Sequence, residues 1–296
     1  MPSTVRPRAI ANGCVLVSSW CPVNAVPLRL FLFTKDPATA VAAERAGVSS
    51  AIIDWEEQGK HDRQAAHDTE INLDTVDDLR RLAPSVSMPI TVRVNGGDRA
   101  LTELEVALDA GARILMLPMA TTAAEVERFV SRVRGRAETL IQIETQALVD
   151  RVADLRSIGW DYAFIGLNDL MISRGAHWLW EPLLDGTVES ICESLAGRQV
   201  GFGGVTIIGG GYPLRFSALL LEMARLNCGL SFLRRTFRRE IVGRDVAAEL
   251  DAVRAAWRAA QLRSLSAVAS DHAVFLETLR RLRASAETAH STVSAR

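Results

Sequence analysis

The chain has 296 residues, a mass of 32.3 kDa and a formal net charge of -1; it is 48% hydrophobic and 23% charged. That is an ordinary globular composition with enough apolar surface for a sizeable core. The balanced charge excludes a generic nucleic-acid binder, whose affinity starts from a basic excess. No apolar run reaches the roughly 18–20 residues of a membrane span.

A short apolar stretch follows Arg6 and Arg8, but Asn12 and Ser18 interrupt it and no clean small-x-small cleavage site follows. We therefore expect a cytoplasmic protein without a secretory signal. Cys14, Cys21, Cys192 and Cys228 lie far apart in the chain and form no CxxC or Cys/His cluster. They read as free thiols, and no zinc site is expected.

Residues 1–27 carry Pro2, Pro7, Pro22 and Pro27 and no clear period, and read as an irregular arm. From residue 28, short apolar runs rich in Val and Ile alternate with stretches of helical period. The runs fall at 28–33, 50–55, 90–94, 114–117, 140–143, 162–165, 200–205 and 230–233. Nearly all are continuously apolar, as strands buried on both faces of a parallel sheet are. Helices are predicted over 37–46, 75–82, 100–109, 123–133, 147–157, 188–195 and 214–226. Asp36 followed by Pro37 is a helix start, and Gly47 and Gly111 sit at helix ends.

Eight strands alternating with seven helices predict an α/β fold of the closed (β/α)8, or TIM, barrel class over residues 28–243. The rival, an open doubly wound sheet, would favour a Gly-rich turn after the first strand. Phe33-Thr34-Lys35-Asp36 has none. Residues 244–296 contain no strand signal. They predict two further helices, 246–265 and 271–289, the first with Val246, Leu250, Val253 and Trp257 on one face. These extra C-terminal helices are expected to pack on the barrel or on a second subunit.

In such a barrel the chemistry sits at the C-terminal ends of the strands. Asp54, Glu56 and Glu57 follow the second strand, Arg93 and Asn95 end the third, Glu144 ends the fifth and Gly166-Leu167-Asn168-Asp169 follow the sixth. A helix cap or an arginine partner accounts for any one of these acids. Glu144 and Asp169 together, each at a strand end, point to a divalent cation, Mg2+ or Mn2+, held by oxygens. Ile208-Gly209-Gly210-Gly211-Tyr212-Pro213 and Arg234-Arg235 follow the seventh and eighth strands. Glycine amides and Arg235 there would suit an anionic substituent of a substrate. The other reading is a solvated start to the tail helices, with the arginines pairing with Glu240 and Asp245. Of 34 basic residues only Lys35 and Lys60 are lysines, and both fall in loops after the first two strands. This leaves little for an imine mechanism, which needs a buried amine; Lys35 does lie on the right face.

Several of these segments resemble the HpcH/HpaI aldolase and citrate-lyase β-subunit family. They are Leu140-Ile141-Gln142-Ile143-Glu144-Thr145, Asp161 through Leu170, Ile52-Ile53-Asp54-Trp55-Glu56, Val92-Arg93-Val94-Asn95 and Ala110 through Met119, spread over roughly residues 28–235. The resemblance implies a metal-dependent barrel that makes or breaks a carbon–carbon bond next to a carbonyl, through an enolate of pyruvate or a related 2-oxo acid. It implies Glu144 and Asp169 as ligands of the divalent cation and Arg93 as the residue that steadies the enolate oxygen. The amides around Gly166, Leu167 and Asn168 would face the substrate carboxylate. The aldolase branch carries a histidine after the second strand, where this chain has Glu57. Glu57, or His61 or His67 in the polar loop beyond it, is then the candidate proton carrier. The acidic Asp54-Trp55-Glu56-Glu57 leans toward the citrate-lyase-like branch, whose substrates are acyl-CoA thioesters. A barrel that has lost catalysis and serves as an assembly subunit is the further alternative. The family's trimers and hexamers imply a homo-oligomer acting on a small-molecule substrate.

Overall fold

Eight short strands hydrogen-bond side by side in chain order and close on themselves. The computed structural model describes residues 26–57 and 74–294. The strands are β1 (Arg29–Phe33), β2 (Ser50–Asp54), β3 (Ile90–Arg93), β4 (Ile114–Leu117), β5 (Glu138–Ile143), β6 (Tyr162–Ile165), β7 (Gln199–Phe202) and β8 (Leu230–Phe232). Each pairs in parallel with the next, and β8 returns to β1, forming a closed barrel. Each coincides with a run expected from the sequence to within a few residues.

Between and after them lie α1 (Pro37–Arg45), α2 (Val76–Leu82), α3 (Asp98–Asp109), α4 (Ala123–Val133), α5 (Gln146–Val149), α6 (Leu167–Ser173), α7 (Glu181–Leu184), α8 (Thr187–Ser194), α9 (Phe216–Arg225), α10 (Arg235–Glu240), α11 (Val246–Gln261) and α12 (Leu265–Ser294). Local chemistry starts them where expected. The Asp36 carboxylate accepts from the Thr39 amide at 2.8 Å, with Pro37 in the first helical position. Thr75 and Asp78 cap α2 reciprocally. Gly47 and Gly111 follow the ends of α1 and α3 with φ of 75° and 106°. Glycine is the residue that takes this left-handed backbone at a helix end without steric cost. The helix expected over 147–157 is divided instead. After α5 the backbone leaves the helical region at Arg151 and resumes as a 3-10 turn, Val152–Ser157. The short helices α6, α7 and α10 were not expected.

Strand alternation sorts side chains into two layers. Phe31, Ile52, Met116, Leu140, Phe164 and Phe232 are among those filling the barrel interior. Their neighbours Leu30, Leu32, Ile53, Leu115, Ile141 and Ile165 face the helices and form the larger outer core. Phe164 and Phe232 stack with centroids 3.9 Å apart, and Phe33 meets Phe232 edge-on at 5.6 Å. Interior positions just beyond this aromatic layer are the ones that reach the C-terminal mouth.

The tail helices pack on the barrel against α1 and α9. As expected, Leu250, Val253 and Trp257 are buried on one face of α11, and Phe275 and Leu279 are buried on α12. The Trp257 indole Nε1 also donates to the Val26 carbonyl at 2.7 Å, at the entry to β1. Replacing Trp257 by Ala removes a buried indole and its hydrogen bond; we expect a loss of about 3–5 kcal/mol in urea or thermal unfolding. A loss below about 1 kcal/mol would mean that the tail is not part of the cooperative unit.

Candidate active site at the C-terminal mouth

Inward parity brings Asp54, Arg93, Gln142 and Glu144 together. Asp54 and Arg93 are register partners on β2 and β3. Their side chains form a two-point fork, Nε to Oδ1 at 2.8 Å and Nη2 to Oδ2 at 2.7 Å. Paired bonds of this kind fix direction as well as adding energy. With those edges engaged, the remaining Nη1 lies 3.3 Å from Glu56 Oε2 and 3.5 Å from Gln142 Oε1. The Arg93 Cζ lies 5.1 Å from the centre of the Phe33 ring, so the guanidinium rests on the aromatic layer. Burial alone would favour losing its proton, but Asp54 and Glu56 outweigh that and hold the guanidinium firmly charged.

Gln142 links this fork to Glu144. Its Nε2 donates to Glu144 Oε2 at 2.9 Å, while the Met119 amide donates to Glu144 Oε1 at 2.9 Å. Met119 adopts a left-handed φ of 55°. That conformation is uncommon for a non-glycine residue and characteristic of constrained sites. Glu144 also explains Gly166. A Cβ built there would lie 2.5 Å from Glu144 Oε2 and 2.9 Å from its Cβ, so the carboxylate stands where any larger residue's side chain would be.

Glu144 is 1% exposed. Its carboxyl is pushed well above the ordinary range, first by burial and then by the negative charges of Asp169 and Glu56. Arg93 and the Met119 amide oppose this without cancelling it. Asp169 comes from the first turn of α6, half-buried and close enough for its charge to act on Glu144. Of the residues expected to face a substrate carboxylate, Gly166 has its amide committed to the Ile143 carbonyl at 3.1 Å. Leu167 and Asn168 open α6. First-turn amides of a helix have no intrahelical acceptor.

The structure does not bring all the expected residues to the mouth. Glu57 lies on the rim, 52% exposed and paired with Arg99 at 2.7 Å. The inward position belongs to Glu56, which is buried. Asn95 fixes this choice. Its Nδ2 donates to the Trp55 carbonyl and to Glu103 of α3, and its Oδ1 accepts from the Glu57 amide at 3.0 Å. His61 and His67 lie outside the described residues.

Arg235 is likewise exposed, and its predecessor Arg234 continues the inward series Leu230, Phe232. The Arg234 Nε and Nη2 are buried without a hydrogen-bond partner among the described residues, although Glu240 lies near enough to support the charge. The glycine loop after β7 already holds an anion from the chain itself. Glu240 accepts from the Thr206 hydroxyl and, at 3.4 Å, from the Gly211 amide. Parity was the signal for Glu56 and Arg234, since each keeps step with a buried interior residue. Lys35 is half-exposed and ion-paired with Asp74 at 3.2 Å. That arrangement is unlike the buried amine of imine chemistry.

A closed barrel with converging carboxylates and a buried guanidinium at its C-terminal mouth defines the enzyme-bearing (β/α)8 class. The family model for HpcH/HpaI aldolase/citrate lyase matches residues 28–187, and the chain belongs to that family. The chain is 25% identical over 213 residues to 2-keto-3-deoxy-L-rhamnonate aldolase of Shigella dysenteriae, covering 60% of this chain and 74% of that one. Two crystal structures share the fold. An HpcH/HpaI aldolase/citrate lyase family protein from Burkholderia cenocepacia has a TM-score of 0.56 at 18% identity, covering 80% of this chain and 96% of the other. An HpcH/HpaI aldolase from Desulfitobacterium hafniense has a TM-score of 0.52 at 15% identity, covering 81% and 95%. Membership supports an enzyme of aldolase or lyase type acting on a small molecule. Among the described residues no helix is long and apolar enough to cross a membrane.

The raised Glu144 carboxyl has a stability consequence. A folded-state pKa above the unfolded value contributes stability that is fully present below the ordinary glutamate range, about pH 4–5, and is lost as pH rises through the raised value. In cation-free protein, wild type should therefore lose stability relative to Glu144→Gln as pH climbs toward neutrality. Urea unfolding at a series of pH values checks this; parallel profiles for the two proteins would contradict it.

Proposed function

We propose that the chain is a divalent-cation-assisted carbon–carbon lyase that cleaves or forms a bond next to the carbonyl of a 2-oxo acid through its enolate. The observation that carries this reading is the placement of buried Glu144. It is crowded by Asp169 and Glu56 and linked through Gln142 to the remaining edge of Arg93.

The donor set fits a hard cation. All candidate ligands are oxygens, and the excess negative charge that raises Glu144 is what a doubly charged ion removes. Among the described residues no three His, Cys, Asp or Glu side chains are gathered as an ion cage. Glu144 and Asp169 would hold the ion, Mg2+ or Mn2+, with water and substrate supplying the rest. When bound, the cation supplies Lewis-acid stabilisation of the charge that develops on the oxo oxygen.

The remaining work falls to the chain's own groups. Asp54 fixes Arg93 on two edges, so Nη1 donates from a set position to an oxygen that gains charge as the carbon–carbon bond breaks. Leu167 and Asn168 present first-turn amides to the substrate carboxylate. In the cleavage direction a base takes the proton of the hydroxyl on the bond's far carbon, that carbon leaves as an aldehyde, and the enolate carbon is then protonated. Glu56 is the inward carboxylate able to carry this proton, and it takes precedence over Glu57 on the rim. The similarity to a 2-keto-3-deoxy-sugar-acid aldolase favours a 2-oxo acid over an acyl-CoA thioester as substrate.

Deuterium exchange at the methyl group of pyruvate in Mg2+ or Mn2+ tests the enolate step. We expect exchange in wild type and losses on the order of 10²–10³-fold in Arg93→Lys and Glu144→Gln. Glu56→Gln should lose on the order of 10²-fold or more, and Glu57→Gln only a few-fold. Mn2+ should raise the melting temperature of wild type but not of Glu144→Gln. No exchange with any divalent cation, together with no thermal shift, would leave the inactive-barrel reading in its place.

Arg234 favours an anionic partner substrate, phosphorylated or carrying a second carboxylate, because two buried guanidinium nitrogens without a hydrogen-bond partner among the described residues are costly until an oxyanion meets them. Retro-aldol rates for an acceptor with and without the anionic group separate the cases. Arg234→Ala should lose roughly 2 kcal/mol of kcat/KM, about 30-fold, only for the anionic substrate, with Arg235→Ala nearer wild type. An equal loss for both substrates would rule the anion role out.

A further inference from the structure

Two of the cysteines expected to be free thiols are free and in contact. Cys192 on α8 and Cys228 in the turn between α9 and β8 are 36 positions apart, and their Sγ atoms lie 3.4 Å from each other. Cys192 is partly exposed and Cys228 is buried. The surroundings hold this register. Arg225 reaches from α9 to Glu189 of α8 at 2.6 Å while also pairing with Glu222 at 2.8 Å. Glu189 and Cys192 are three residues apart, as are Arg225 and Cys228. The ion pair therefore clamps the two elements beside the sulfur contact. Asn227, at a left-handed φ of 58°, and the Cys228 amide bond to the Met223 carbonyl, 2.9 Å, fix the turn that carries the second thiol.

We propose that Cys192 and Cys228 are a built-in modification site: a thiol pair that a low-molecular-weight disulfide converts into an intramolecular disulfide tying α8 to the start of β8. The sulfurs stand 3.4 Å apart. Reaching the bonded S–S length of roughly 2 Å requires the sulfurs to approach by a little over 1 Å. Cys192, the accessible member, reacts first. Its thiolate attacks one sulfur of the reagent disulfide, the reagent S–S bond breaks, and one reagent thiol leaves with a proton from solvent. Cys228 then gives up its proton to solvent, and its sulfur attacks the Cys192 sulfur of the mixed disulfide and expels the second reagent thiol. Two protein thiols and one small disulfide become one protein disulfide and two small thiols, with no other oxidant required. Burial raises the Cys228 thiol well above its ordinary range, so the first encounter with the reagent falls to the accessible Cys192.

The test uses the full-length folded chain with excess oxidised glutathione, alkylation of remaining thiols, and tryptic digestion without reduction. Cleavage at arginine releases Cys192 in residues 175–198 and Cys228 in residues 226–234. The expected result is a species joining these two peptides, two hydrogens lighter than their sum, that dithiothreitol splits. Closing this loop should also raise the melting temperature by roughly 5 °C. Neither the joined peptide nor the thermal shift should form in Cys192→Ser, a change at a partly exposed position, or in Cys228→Ala. A stable glutathione adduct on 175–198 with a free thiol on 226–234 would overturn the proposal. So would linkage of either peptide only to Cys14 or Cys21.

Discussion

The mouth of this barrel depends on the period-two alternation of a parallel strand. On each strand one set of side chains faces the interior and the other the helices, and the register between strands decides which interior positions meet. Asp54 and Arg93 are direct partners, and each stands two residues beyond an interior side chain of its own strand, Ile52 and Thr91. Gln142 and Glu144 follow Leu140 in the same way. Polar groups so placed sit above a layer of stacked phenylalanines and below the loops, where hydrogen bonds strengthen and unpaired charges become expensive.

That environment sets the electrostatics. Asp54 holds Arg93 at Nε and Nη2, and Glu56 lies against Nη1, so all three guanidinium nitrogens are engaged. Gln142 joins the two halves of the arrangement: its carbonyl oxygen shares Nη1 with Glu56 and its amide group takes Glu144. The residues that impose this order are not themselves reactive. Met119 gives up a relaxed backbone to place one amide, Gly166 gives up a side chain to leave room for a carboxylate, and Asn95 turns the end of β2 so that Glu56 and not Glu57 points inward. Carboxylates outnumber the guanidinium, and the excess falls on Glu144, whose two oxygens accept from the Met119 and Gln142 amides. The proposed cation and the charge proposed to develop beside Arg93 would answer this imbalance on its two sides.

Much of this is legible in the chain before any coordinates. Continuous apolar runs such as 114–117 and 162–165 fit strands buried on both faces, and Asp36-Pro37 and Gly111 mark helix ends through local chemistry that tertiary structure did not override. Glu144 and Arg93 stand out because they end strands, and Asp169 because it stands in the segment that follows one. Glu57 and Arg235, by contrast, stand one residue away from the inward positions. At a strand end the sequence offers two adjacent polar residues, and composition alone does not choose between them. Counting by twos from Ile52 and from Phe232 does choose, in favour of Glu56 and Arg234. The short helix α6 is not legible because seven residues show too little period to separate a helix from a loop. The Cys192–Cys228 contact is beyond reach for another reason. It depends on how a crossover helix settles against the next helix–strand turn, which no local pattern encodes.

The tail helices show the same division between apolar pattern and polar detail. Their stripe of Leu250, Val253 and Trp257 announces a packed face but not what it covers. In the structure that face is framed by donors aimed at backbone carbonyls, two of them at joints of the barrel. The Trp257 indole reaches Val26 before β1 and Arg254 reaches Ala46 at the end of α1, while Arg263 reaches Leu221 within α9. Gln261 accepts from the Val26 amide at 2.8 Å, so both backbone polar groups of one residue at the entry to β1 are satisfied by α11. Carbonyls at helix ends and strand entries are the backbone groups that secondary structure leaves over. A helix that satisfies them while burying an apolar stripe joins the last part of the chain to the first strand. It thereby stabilises the seam between β1 and β8, where the barrel closes.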